Sequence, residues 1–212
     1  MTDHRLAATT LDDRLRSLLP ARVRAPLRAM RSAVRQRVKG PPVPSLLMWH
    51  RSDTELAAQP LPAGLEWRPC RPDDVTEWVA LLNVNGELGR WNEPRLRGEI
   101  AALVPGTQRF VADGARLVAG AGVYDRPVAG GPGWEVGWVV RDPAYRGLGL
   151  GAYVVRSAIM AALALPPRPI FLLTDDHRLA GIRLYLELGF EPDTTWEPSC
   201  AERWRKVFAK LD

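Results

Sequence analysis

The chain has 212 residues, 46% hydrophobic and 25% charged, and a formal net charge of +5. These are globular proportions that exclude wholesale disorder and fibrous architectures, and the length suits one well-cored domain with an appendage. Cys70 and Cys200 stand far apart, and His4, His50 and His177 are scattered, so neither a disulfide framework nor a metal site is expected and a reducing, cytoplasmic setting fits best.

The first residues lack the cationic start and apolar run of a secretory signal. No stretch of about 18 uncharged apolar residues occurs, so neither export by that route nor a membrane span is expected. Residues 1–40 carry nine Arg and one Lys against three Asp, a net +7, while the remainder has 19 basic and 21 acidic residues, a net −2. Within this leader Leu11, Leu15, Leu18, Val23, Leu27, Met30, Val34 and Val38 recur at helical spacing, interrupted at Pro20 and Pro26. Gly40 to Pro44 then forbids continuation. The expected division is a basic, partly helical extension and linker over 1–42 and one domain over 43–212. Two uses of the extension stay open: contact with an anionic membrane or nucleic acid through its arginines, or packing of its apolar stripe on the domain or on a second subunit in a homodimer.

From Ser45 strands and helices alternate. Leu46 to Arg51 and Leu65 to Cys70 read as strands, and Pro72, Asp73 and Asp74 open a helix through Trp78, Leu81 and Leu82. A second helix is expected from Glu93 to Leu103, closed by Pro105 and Gly106. Thr107 to Ala112, Arg116 to Tyr124 and Trp134 to Val140 form three successive strands, with a Gly/Pro loop from Asp125 to Gly133. A long helix runs from Gly149 to Leu165, a short apolar strand from Ile170 to Thr174, and another helix from Arg178 to Leu188, stopped by Gly189. A last strand is expected within Glu202 to Ala209. The fold class is α/β (α+β), with a mixed central sheet of six to seven strands and about four helices.

The chemistry concentrates where the third strand of that meander leads into Arg146 to Gly151, which reads R-G-L-G-L-G. Gly147, Gly149 and Gly151 clear side chains from the backbone, so amide donors at a helix N-terminus can converge on an anion, and Arg146 adds a forked permanent charge. This is a phosphate-binding design. A Walker-type loop would need Lys and Ser or Thr after the glycines, and a dinucleotide fingerprint would need glycine at 152 or 154, where Ala152 and Val154 stand.

Arg146 to Gly151 resembles the R/Q-x-x-G-x-G/A motif of the GNAT superfamily, and Gly181 to Phe190, G-I-R-L-Y-L-E-L-G-F, resembles that family's helix-to-strand signature. The resemblance covers about Ser45 to Asp212 and implies the GNAT fold, in which two central strands splay to admit the pantetheine arm of coenzyme A. It implies an N-acetyltransferase using acetyl-CoA as co-substrate and an amine as acceptor, with no metal. A non-catalytic acyl-CoA-binding or regulatory domain and transfer of a longer acyl group are the alternatives. Arg178 and Gly181 depart from the family's usual asparagine and alanine.

By that resemblance, Val139, Val140 and Arg141 would meet the pantetheine backbone, and Arg146, Gly147, Leu148, Gly149, Leu150, Gly151 and Ala152 the pyrophosphate. Glu135, eleven residues before Arg146, aligns with the general base of histone-type members, and Tyr185 with the tyrosine that protonates the departing sulfur. A backbone N–H near Val140 would hold the oxyanion. Alternation sends Trp134, Val136, Trp138 and Val140 to a core face and Glu135, Gly137 and Val139 to a cavity face, before any bulge. Asp175 and Asp176 either cap the following helix or draw a cationic amine into the acceptor cleft.

Overall fold

The computed structural model describes residues 44–51, 53–57 and 59–211; the expected basic extension lies outside them. The elements in order are β1 (Leu46–His50), β2 (Glu66–Pro69), α1 (Val75–Asn83), α2 (Glu93–Ile100), β3 (Arg109–Asp113), β4 (Arg116–Val128), β5 (Gly131–Arg141), α3 (Leu150–Leu163), β6 (Ile170–Thr174), α4 (Leu179–Glu187), β7 (Phe190–Pro192) and α5 (Cys200–Leu211). They build one seven-stranded sheet in the order β2-β3-β4-β5-β6-β1-β7. Every neighbouring pair is antiparallel except β5 with β6.

Helices cover both faces, as the near-continuous burial of β3 to β6 requires. On one face α3, α4 and α5 bury Val154, Val155, Ile159, Ile182 and Trp204 against Leu46, Met48, Val136 and Leu172. On the other, α1 and α2 bury Trp78, Leu82 and Leu96 against Phe110, Ala112 and Val140. The entry to α1 is pinned by a buried ion pair in which Arg68 donates to both carboxylate oxygens of Asp74, at 2.8 and 2.7 Å. Asp74 also accepts the Arg71 amide at 2.6 Å.

Three expectations are corrected. The segment from Asp125 to Gly133 is a hairpin, not a loop: β4 and β5 stay paired to Val128 and Gly131. Ala129 and Gly130, with φ of 49° and 79°, make the two-residue turn, and positive φ at both central positions matches the twist of paired strands. The Gly/Pro composition suggested a loop because it marks the turn.

The expected last strand at Glu202 to Ala209 is helix α5. Cys200, Trp204 and Val207 are its buried residues, a three-and-four spacing that alternation does not produce. On the far side of β6 the sheet is completed instead by β1, which pairs with β6 from Leu46↔Thr174 to Trp49↔Phe171 and with β7 on its other edge.

Alternation along β5 fails at a bulge. Gly122 faces Gly137 and Gly120 faces Val140, so Trp138 and Val139 together oppose Ala121. Trp138 has φ of 48°. The extra residue shifts the pleat: Trp134 and Val136 pack on the α3 side, whereas Trp138 and Val140 turn to the α1 side. A Cβ on Gly137 would lie 2.9 Å from the Tyr124 ring, although Gly137 borders a cleft together with Glu135 and Val139. Among the described residues no helix is long and apolar enough to cross a membrane.

Candidate acyl-transfer site

The glycine turn is set by its lead-in. Asp142, 3% exposed, accepts the Ala144 amide at 2.9 Å and is ion-paired with Arg116, which fixes the short helical turn Pro143–Tyr145. Tyr145 donates its hydroxyl to Asp113 at 2.6 Å. The chain then reverses through Gly147 and Gly149, with φ of 84° and 71°, values that side chains with a Cβ resist. Among the described residues the amides of Gly147, Leu148 and Gly149 donate to no acceptor. Leu150, Gly151 and Ala152 begin α3, where first-turn amides have no intrahelical partner.

Nothing lies within 4 Å of a Cβ built on Gly147, and Arg146 is exposed and in no ion pair among the described residues. Open backbone donors, a helix N-terminus and an unengaged guanidinium are what a diphosphate requires. The residues present therefore fit the phosphates of coenzyme A. Gln59, between β1 and β2, also lies at this turn, donating to the Gly149 carbonyl at 3.2 Å and accepting from Arg156 at 2.7 Å.

Upstream, β5 and β6 pair only at Trp134↔Ile170 and Glu135↔Phe171, although β5 continues to Arg141 and β6 to Thr174. Beyond that point the two strands part. Val139, Val140 and Arg141 keep β4 on one side and leave their other edge open, a place where an extended amide-bearing chain can add as a strand would. Val139 faces the α3 side, Val140 is buried on the α1 side, and the Arg141 guanidinium donates to the Asp142 carbonyl at 2.9 Å.

A cleft of about 200 Å³ occupies the divergence. Glu135, Val139, Asp175 and Tyr185 all line it, joined by Ser45, Leu88, Arg126, Thr174 and Arg178. Asp176 does not line it; its carboxylate is paired with Arg203 of α5. Asp175 is held by Arg178 Nε at 3.0 Å and accepts the Ser45 hydroxyl at 3.5 Å.

Glu135 is 8% exposed. Burial pushes its carboxyl above the ordinary range, opposed by the Arg126 guanidinium, which donates to it at 2.9 Å. Arg126 also pairs with Glu99 of α2 and lies 5.2 Å from the centre of the Tyr124 ring. Tyr185 is pushed up to about 12 by burial, and Arg178 opposes that. Among the described residues nothing hydrogen-bonds its hydroxyl.

Sequence reading missed Arg126, Ser45 and Thr174. Arg126 fell within the supposed loop, and only continuing the alternation past Tyr124 would have placed it opposite Gly133, two residues before Glu135 on the paired strand. Ser45 and Thr174 carried no signal, since strand-end hydroxyl residues are common.

The sequence profile of the Acetyltransferase (GNAT) family matches residues 64–190, the span that holds both the glycine turn and the cleft-facing tyrosine. The chain belongs to the GNAT family. A GNAT-family structure from Novosphingobium aromaticivorans, described as an acetyltransferase, is 28% identical with a TM-score of 0.52, over 70% of this GNAT chain and 60% of that one. A GCN5-related N-acetyltransferase from Sphaerobacter thermophilus is 18% identical with a TM-score of 0.54, over 76% of this chain and 53% of that one. Naa50 from Arabidopsis thaliana, solved with the bisubstrate analogue CoA-Ac-MVNAL, shares the fold at 18% identity and a TM-score of 0.50, over 61% of this chain and 84% of its own. This GNAT chain thus spans 60% and 53% of the first two proteins. No curated protein sequence matches it.

Proposed function

We propose that this chain is an N-acetyltransferase that moves an acetyl group from acetyl-CoA to a primary amine of a small molecule or peptide, by direct attack within a ternary complex. The observation that carries this reading is the cleft between the parted strands, which gathers a carboxylate with a raised pKa and a protonated phenol beside open amide donors. The family, and the likeness to the Novosphingobium structure described as an acetyltransferase, support acetyl as the group moved.

The thioester supplies an activated acyl carbon. Arg146 and the amides of 147–152 hold the diphosphate, and the open edge of Val139 to Arg141 aligns the arm so that the acyl group reaches the cleft. Glu135 takes a proton from the acceptor ammonium, which frees the nitrogen lone pair. An amide near Val140 bonds the carbonyl oxygen as it gains charge. Tyr185 gives its proton to sulfur as the C–S bond breaks, and recovers one from the acylated nitrogen. Asp175 draws the cationic amine inward, while Asp176, tied to α5, has no part in this.

A single-turnover assay that follows thiol release from acetyl-CoA across a panel of primary amines tests the proposal. Release that depends on both an amine and Glu135 is the expected result. Tight coenzyme A binding without transfer to any amine would favour a binding or regulatory domain instead.

A further inference from the structure

Thr174 ends β6 with a side chain that bonds nothing. The residue is 4% exposed, and its Oγ1 is buried without a hydrogen-bond partner. Buried hydroxyls are nearly always paired, and one that is not lowers stability unless something arrives to use it. Thr174 lines the cleft, so the hydroxyl lies beside the space that an incoming group would fill.

The pleat decides which group. Leu172 packs in the cluster that contains Tyr185, whereas Phe171 lies in a separate cluster with Leu47. Thr174 is two residues beyond Leu172, and its partner Leu46 belongs to the Tyr185 cluster, so Thr174 shares the Tyr185 face. Glu135 is in register with Phe171 and so belongs to the opposite face. The spare hydroxyl therefore stands on the leaving-group side of the cleft, away from the base.

That side needs a second donor. The burial that keeps Tyr185 protonated, with its pKa pushed up to about 12, also makes it a reluctant acid toward a thiolate, whose ordinary pKa is about 8.5. A group that stabilises negative sulfur without surrendering a proton would ease the moment of C–S cleavage.

We propose that Thr174 Oγ1–H donates a hydrogen bond to the thioester sulfur and to the thiolate that forms from it. The amine nitrogen bonds the acyl carbon, the C–S electron pair passes to sulfur, and Tyr185 supplies the proton that ends on it; Thr174 keeps its own. This rests on reading the cleft as an acyl-CoA site.

Thr174→Val keeps the shape and removes only the hydroxyl, while Thr174→Ser keeps the donor. Three readouts separate function from structure: Tm, kcat, and calorimetric affinity for coenzyme A against desulfo-coenzyme A. The expected result is that Thr174→Val raises Tm, lowers kcat by about 10²-fold, and loses the wild type's preference for the sulfur-bearing ligand, with Thr174→Ser restoring both activity and preference. A Tm that falls together with activity, or an unchanged kcat and an unchanged preference for sulfur, would overturn the assignment while leaving acyl-CoA transfer intact. Wild-type protein that binds neither ligand would overturn the acyl-CoA reading and this inference with it.

Discussion

Glu135 and Tyr185 face the same cleft but are held in opposite ways: the carboxylate is gripped by Arg126 at 2.9 Å, and the phenol hydroxyl bonds nothing among the described residues. The proposed base is tethered and tuned by a charge network that reaches α2 through Glu99. The proposed acid is positioned by packing, against Phe190 at a ring separation of 6.0 Å. Each arrangement has its own experimental signature.

Glu135→Gln should lower kcat by about 10²- to 10⁴-fold, the usual contribution of a positioned base. If Glu135 is the base, activity needs its ionised carboxylate, and wild-type kcat/KM should fall as pH drops through the raised pKa. The acid limb then lies above the ordinary glutamate value of about 4.3 and is absent in the variant. Arg126→Ala removes the opposing charge and should move the limb to higher pH; a pH–rate profile of the three proteins checks this.

Tyr185→Phe should lower kcat by about 10²-fold or more and change the Kd of coenzyme A by no more than about twofold. With its pKa pushed up to about 12, the phenol stays protonated through neutral and mildly alkaline pH. No descending alkaline limb should arise from this group below that value. Paired rate and binding measurements on the variant suffice.

At the turn, Gly147→Ala and Gly149→Ala separate strain from obstruction. Both residues have positive φ, so each substitution should cost about 1–2 kcal/mol. The Gly147 Cβ meets open space, where the diphosphate is proposed to bind, while the Gly149 Cβ would come within 2.4 Å of Gln59 Nε2. Both should weaken coenzyme A, and only the Gly149 variant should recover part of its Tm when Gln59 is shortened to alanine. Thermal melts with and without ligand read both effects.

Asp74→Ala should destabilise by about 3–5 kcal/mol, because it strands the Arg68 guanidinium in the core. Arg68 holds the Asp74 carboxyl below its ordinary pKa despite burial, with the Arg71 amide assisting. A depressed folded pKa means the pair contributes fully above the unfolded value of about 3.9 and is lost as pH falls through the lower folded value. Urea titrations of wild type and variant should converge at strongly acid pH and diverge above it.

The elements that sequence revealed best are those whose signals are local. The strand, glycine turn and helix around Arg146 and the Leu179–Glu187 helix with its glycine stop could be read because spacing and turn chemistry act over a few residues. What escaped depends on pairings between distant segments. The bulge at Trp138 exists only against Ala121, the sheet position of β1 only against β6 and β7, and the grip of Arg126 on Glu135 only once the hairpin closes. Strand-like residues at 202–209 became a helix because burial at Trp204 and Val207 follows the helical period, and the sheet position beside β6 belonged to another strand.

That other strand carries a consequence for biosynthesis. Of the seven strands β1 is made first, yet Ser45 and the Asp175 it bonds are 130 positions apart, so the backbone groups of β1 stay unpaired until β6 and β7 have also been made. High contact order of this kind slows folding, and a nascent Leu-Leu-Met-Trp segment with two unclaimed edges invites pairing with neighbouring chains. Yield from cells should therefore respond to translation speed and chaperone supply more than the stability of the finished protein would suggest.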